Sequence, residues 1–352
     1  MPAEAFPLGM ASGIRSESAF WNLRRYGRWL WLALLGASLC AHSQTCLSAA
    51  DIDDSVRSGL EASAKRYFEM SARGDTAALR QNSIASVAAS FAGIAAAVKE
   101  NQGVLAGANA TVRPPFLLST DSAEPLARAE FLCGVFGKSG QTKDSAVFVL
   151  NNLPPGKYGV TILDVSGDQA AMTLTLVLQQ AGAGWKLAGF FAKSSQASGH
   201  DAAWFTQRAR DFKAKAQNHN AWLYYREAIA LSSPVDFMST LATDKLYDEA
   251  QATQPTDLPA NGTLVDMSDG GKIYRLTETF LRGVGNDLDV EVSYQAADVS
   301  DTTHTFQENT VVIKALVAKF PEFRDAFGGV VARAVGPSGH DFSSLMAMKD
   351  IK

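Results

Sequence analysis

Apolar positions first recur at helical spacing. After the N-cap candidates Asp51 to Asp54, the residues Val56, Leu60, Ala64, Tyr67 and Phe68 predict an amphipathic helix, and Arg73-Gly74-Asp75 breaks it. Leu79, Ile84, Val87, Phe91, Ile94 and Val98 continue the period in a second helical stretch that Gly103 ends. Near residue 110 the period changes. Arg113-Pro114-Pro115 is extended, and the apolar runs 129–136, 146–150, 158–165, 170–179 and 185–192 predict strands. The turns between them are Lys138-Ser139-Gly140, Pro154-Pro155-Gly156, Ser166-Gly167-Asp168 and 181–184. Helices followed by a meander of strands make an α+β layout.

A second cycle follows. Asp201 is placed as an N-cap, and the stretch from Trp204 to Met238, the most aromatic of the chain after its leader, predicts a helical hairpin. A further helix is expected from Ser239 to Ala252, and Pro255 to Pro259 makes a linker. Strands are predicted at 263–267, 272–281 and 287–294, with Ser268-Asp269-Gly270-Gly271 as a hairpin turn. In the third, Leu288, Val290, Val292 and Tyr294 point inward, while Asp287, Asp289, Glu291 and Ser293 point outward. A helix from Gln307 carries Val311, Ile313, Leu316, Val317 and Phe320 up to Pro321; strands at 330–335 and 342–348 close the chain. This part reads as a small antiparallel sheet with one long helix on a face. The expected plan is an α+β domain over 44–198, an aromatic helical connector over 199–254 and a C-terminal antiparallel α+β domain over 255–352.

The first 43 residues change the cellular picture. Arg24, Arg25 and Arg28 precede an apolar run of 13 residues, Trp29 to Ala41, and Ala41-His42-Ser43 offers small residues where a signal peptidase reads. A bilayer span needs about 20 apolar residues. The expectation is a signal peptide cleaved after Ser43, with Met10 as an alternative start, and a periplasmic or secreted product without a transmembrane span. Leu39 before Cys40 and Thr45 before Cys46 are not the small residues of a lipobox. Removal of the leader takes away four arginines and two glutamates, so the formal charge of −4 becomes −6. An acidic chain without a basic stripe has no electrostatic footprint for nucleic acid or anionic membrane. Cys46 and Cys133 then remain; in an oxidising compartment they either pair, clipping the N-terminal segment to the first domain, or stay as thiols with Cys133 buried.

Tyr67-Phe68 followed by Gly74-Asp75 and Leu79, together with the closing hairpin Met172–Leu178 and Gly184-Trp185-Lys186-Leu187-Ala188-Gly189-Phe190, resembles the NTF2-like (cystatin-like, SnoaL-type) fold over about residues 51–194. That resemblance implies helices packed on a curved antiparallel sheet, with ligand or catalytic groups in the mouth of a cone. No histidine falls between Asp51 and Gly199, so the commonest general base is absent. Tyr67, Glu130, Tyr158 and Asp164 remain as pocket candidates, against the alternative of packing tyrosines and solvated carboxylates. Phe205, Ala209 and Phe212, then Ala221, Tyr225, Ala228 and Pro234, resemble a single tetratricopeptide-like helix pair over about 202–234, departing from it at Arg208, where leucine is usual. One such unit cannot bury its own faces. Trp204, Trp222, Tyr224 and Tyr225 are therefore either a partner contact or an interdomain core. The stretch through Pro234-Val235-Asp236-Phe237 also resembles exported proteins of soil bacteria, a resemblance that carries no activity.

Other chemistry is sparse. Asp287, Asp289 and Glu291 on one strand face could hold a hard cation, but calcium sites take loop geometry and backbone oxygens; a solvated face is the better account. Ser198-Gly199-His200-Asp201 recurs as Ser338-Gly339-His340-Asp341. Its residue types are those of a hydrolytic triad, but chain neighbours do not adopt triad geometry, so turn and cap roles explain it. His219 and His304 are isolated. There is no P-loop, dinucleotide fingerprint, CxxC pair, HExxH or nucleophile elbow, and no cofactor or metal is implied. The expectation is an exported non-enzymatic binding or protein-interaction module of the bacterial envelope, with a protein or small-ligand partner. The alternative is a periplasmic NTF2-like enzyme using a carboxylate or tyrosine in the cone.

Overall fold

The computed structural model describes residues 44–135, 141–142, 144–167, 170–260, 262–285 and 287–352; the signal-peptide reading of 1–43, the turn Lys138-Ser139-Gly140 and Asp168 lie outside them. The fold is α+β. Its first sheet runs in the order β1 (Gln44–Leu47), β3 (Phe116–Thr120), β6 (Gly156–Ser166), β7 (Ala171–Ala181) and β8 (Gly184–Ser194), with β2 (Asn109–Val112) also paired to β6. A second sheet has the order β11 (Met238–Thr240), β5 (Ala146–Leu153) and β4 (Leu126–Cys133). The meander expected from the sequence is thus split into two sheets. Leu118, Tyr158, Val160 and Val177 on one side meet Phe131, Phe148 and Leu150 on the other in a shared core. Cys46 on β1 and Cys133 on β4 form a disulfide that staples the sheets together.

The opposite face of the first sheet is covered by helices. α1 (Asp54–Ala72) buries Leu60, Ala64, Tyr67 and Phe68. A Cβ on Gly159 would stand 2.0 Å from Leu60 Cδ2, so α1 rests directly on the backbone of β6. The second predicted helical stretch is four short helices, α2 (Thr76–Gln81), α3 (Ala85–Ala89), α4 (Ala92–Glu100) and α5 (Gln102–Leu105). The first break has a tertiary cause. Asn82 O accepts from Leu187 N and Ile84 N donates to Leu187 O, at 3.0 and 2.9 Å, so the chain leaves the helix to satisfy the edge of β8.

The rest of the chain builds one further core. A hairpin of β9 (Gln196–Ala197) and β10 (His200–Asp201) leads into α6 (Ala202–Ala214), α7 (Asn218–Ser232) and, after β11, α8 (Leu241–Gln251). These helices share a core with the last sheet, β12 (Val265–Asp269), β13 (Lys272–Val284), β14 (Asp287–Gln295), β15 (Gly329–Val335) and β16 (Asp341–Ala347), and with α9 (Thr302–Lys319). The helix pair thus shares its core with the last sheet, and the β11 that follows it returns to pair with β5 of the first unit. The last sheet is mixed, a correction to the antiparallel expectation: β14 and β15 are parallel, because α9 carries the chain back between them.

The outward residues of β14 require a second correction. Leu288, Val290, Val292 and Tyr294 face the core as expected, and Tyr294 donates to Asn309 Oδ1 of α9 at 2.9 Å. Asp289, Glu291 and Ser293 are 3%, 0% and 2% exposed rather than solvated. β14 is the central strand, so long side chains from both neighbours cover its outer face. Arg282 lies opposite Asp289 and places Nε 2.7 Å from Glu291 Oε2, while Arg333 lies opposite Ser293. Burial pushes the Asp289 and Glu291 carboxyls up; for Glu291 the charges of Arg282 and Arg333 oppose that rise.

Candidate functional site

The Ser198-Gly199 pair joins β9 to β10 as a two-residue hairpin loop, with φ of 47° and 76°. Positive φ at both central residues is the type I′ requirement, which explains glycine at the second. The Ser198 hydroxyl donates to Asp287 O at 2.8 Å, fastening this turn to the start of β14. Asp201 then accepts from Trp204 N at 2.9 Å and caps α6. Trp204, Arg208 and Phe212 follow at four-residue intervals along one stripe of the helix, His200 stands four residues before Trp204 at the end of β10, and Lys215 is the C-cap. The His200 ring stacks on Trp204 at 3.8 Å with an interplanar angle of 5°. Arg208 lies 5.5 Å over the Trp204 ring, and Lys215 lies 5.7 Å over Phe212.

These groups form one wall of a cleft of about 300 Å³. Tyr224 of α7 contributes its apolar side; its hydroxyl donates to Ala326 O at 2.8 Å, and burial pushes its pKa up to about 12. Asp287 and Leu288 of β14 and Asp325, Ala326 and Gly328 after α9 complete the lining. Asp325 accepts from Gln217 Nε2 at 2.6 Å. A Cβ on Gly328 would lie 3.1 Å from Asp287 Cβ, so glycine keeps that side open. The cleft thus combines aromatic rings, two cations and two carboxylates. It holds no nucleophile poised on a base, since the Ser198 hydroxyl is taken by a backbone carbonyl and the His200 ring lies flat on Trp204. A wider depression of about 900 Å³ along α2 to α4 is lined by five alanines, Phe91 and the polar side chains of Thr76, Arg80, Gln81 and Ser83, with no carboxylate, histidine or cysteine among them.

The sequence-nominated residues divide. Trp204 and Tyr224 reach the cleft. Trp222 and Tyr225 do not: they are 4% and 1% exposed, the first beneath Arg226 at 4.7 Å and the second donating to Glu249 Oε2 at 2.9 Å. Both belong to the common core and stand outside the cleft lining.

Tyr67, Glu130, Tyr158 and Asp164 do not converge on a pocket. Tyr67, on the buried face of α1, accepts from Leu187 N at 3.1 Å. Tyr158 lies in the core between the sheets, where it donates to Pro154 O at 2.9 Å. Asp164 is exposed and bound bidentately by Arg113 at 2.9 and 2.6 Å. Glu130 is exposed on β4 beside Arg128. The two Ser-Gly-His-Asp repeats serve separate hairpins, β9–β10 and β15–β16. Among the described residues no group of three or more His, Cys, Asp or Glu is arranged to hold a metal ion.

Comparison with protein-family models, curated proteins and solved structures returns no match. The site rests on its geometry.

Lys215 and Asp325 escaped the sequence reading, and His200 was read there only as part of a turn and cap. The recurrence His200–Trp204–Arg208 was a visible signal, and the departure of Arg208 from the helix-pair pattern marks where that helix faces a cleft rather than a neighbouring repeat.

Proposed function

We propose that this protein is an exported, non-catalytic binding module of the bacterial envelope, and that its ligand or partner group enters the cleft between α6 and the start of β14. The observation that carries this reading is the cleft itself: an aromatic floor with charged groups of both signs at its edges, and no nucleophile–base pair. The Cys46–Cys133 disulfide supports export, because such bonds persist in oxidising compartments. The packing of α1 across β6 to β8, with Tyr67 inside it, supports an NTF2-like reading of residues 51–194, to which the sheet β4–β5–β11 is an addition. The enzyme alternative loses support because its four pocket candidates lie apart.

Trp204→Phe provides the test. Three tryptophans, Trp185, Trp204 and Trp222, remain after residue 43, so the difference between wild type and variant isolates the cleft signal. A library of small polar compounds and envelope extract fractions is titrated while that signal is followed. Saturable quenching in the wild type, missing in a folded Trp204→Phe protein, is the expected result. Binding that leaves Trp204 unperturbed would move the function elsewhere.

A further inference from the structure

The cleft carries a charge pattern that its own residues leave open. Arg208 and Lys215 come from α6 and its C-terminal end, while Asp287 and Asp325 come from β14 and the 3-10 turn Pro321–Asp325. Opposite charges lining so small a space would ordinarily pair. Among the described residues no ion pair within 4.0 Å joins these cations to these carboxylates. Arg208 has Asp211 of its own helix at 3.9 Å, and Asp325 is held by the neutral Gln217 amide at 2.6 Å. The guanidinium of Arg208 is half-exposed and keeps its fork of donors for a planar carboxylate.

We infer that the cleft takes a zwitterion of amino-acid or short-peptide type, its carboxylate at Arg208 and Lys215 and its ammonium at Asp287 and Asp325. This rests on the binding reading above. A plain anion would be repelled by the two aspartates and a plain cation by the two basic residues, whereas a zwitterion answers both pairs and leaves the cleft neutral. The apolar part of the ligand meets the half-buried Trp204, behind which Phe212 and Tyr224 are buried. A volume of about 300 Å³ is at the lower end for small-molecule sites, so the occupant is a single amino acid or a peptide of two or three residues.

Calorimetry of the full mature chain tests this. The panel is the twenty L-amino acids, linear ω-amino acids of three to six carbons, and di- and tripeptides. Each hit is repeated as its N-acetyl form, which removes the ammonium, and as its amide, which removes the carboxylate. The expected result is a saturable hit that either blocking group weakens about tenfold or more. Arg208→Ala should abolish the penalty for the amide alone, and Asp287→Asn the penalty for the N-acetyl form alone. Both positions are exposed, so the variants keep the wild-type fold by circular dichroism. Single amino acids against peptides decide the length of the ligand. A hit that tolerates both blocking groups overturns the zwitterion and leaves the binding cleft standing, as does a compound outside the panel that quenches Trp204 while the whole panel fails. Failure of the panel together with an unresponsive Trp204 removes both readings.

Discussion

Replacing Cys46 with alanine removes the one covalent tie between the two sheets of the first unit. The bond closes a span of 87 residues. The loop-closure relation for a cross-link of that length gives about 4.6 kcal/mol at 25 °C, and removing a native disulfide from a small domain costs about 2–5 kcal/mol. Without it, β1 keeps a four-residue ladder to β3 and the contact in which Gln44 Oε1 accepts from Glu130 N at 2.6 Å. Alanine at 46 is the clean perturbation. Serine at 133 would add an unpaired hydroxyl at a fully buried position, a further cost of about 1–3 kcal/mol. Urea unfolding followed by tryptophan fluorescence should show a loss of about 2–5 kcal/mol in Cys46→Ala, with a similar loss in the reduced wild type. Limited proteolysis should find new cleavage between residues 44 and 53. Oxidised and reduced wild type unfolding within about 0.5 kcal/mol of each other would refute the argument. So would alkylation of both thiols in the native oxidised protein.

Other perturbations read other parts of the fold. Gly159→Ala should cost about 1–3 kcal/mol because its methyl group would meet Leu60 Cδ2, and Leu60→Val should recover part of the loss; independent additive losses would contradict direct packing of α1 on β6. Glu249 accepts from Arg210 Nε and Nη2 and from the Tyr225 hydroxyl, and the Arg210 hydrogen bond is the chief reason its pKa falls to about 2. A depressed carboxyl stabilises the native state above its unfolded pKa, so this contribution should be present above about pH 4.5 and lost towards pH 2. Glu249→Gln should flatten that acid limb and cost about 1–2 kcal/mol at pH 7; an unchanged limb would refute it. Glu291 has the opposite sign: burial raises its pKa, so its contribution is present at low pH and lost as pH rises through the folded value. Arg282→Met strips its ion-pair partner and should cost about 3 kcal/mol at pH 7 but less at pH 5, and equal losses at both pH values would count against the buried charge.

The candidate site was half legible. Asp201 as a cap and Ser198-Gly199 as a turn are local chemistry, and both occur where the residues suggest. Asp287 and Asp325 join the same cleft from positions 38 residues apart, brought together by the parallel return of α9, and no local pattern announces that meeting. His219, isolated along the chain, places Nδ1 2.7 Å from Glu322 and Nε2 2.8 Å from Asp257, tying α7 to the linker and the 3-10 turn.

What the sequence by itself determined is what depends on neighbours in the chain. The period of α1, the strands β6 to β8 and the Gly270-Gly271 turn, whose φ values of 55° and 83° suit glycine, all follow from residues within a few positions of each other. Tertiary structure decided the rest. β1, β2 and β3 are four or five residues long and too short to declare a period; they exist because β6 and its neighbours offer edges to pair with. Alternation in β14 separated its two faces correctly, but solvation depends on what lies across the sheet. Arg282 on β13 stands opposite Asp289 and pairs with Glu291, and Arg333 on β15 stands opposite Ser293, a covering set by strand order rather than by the β14 sequence.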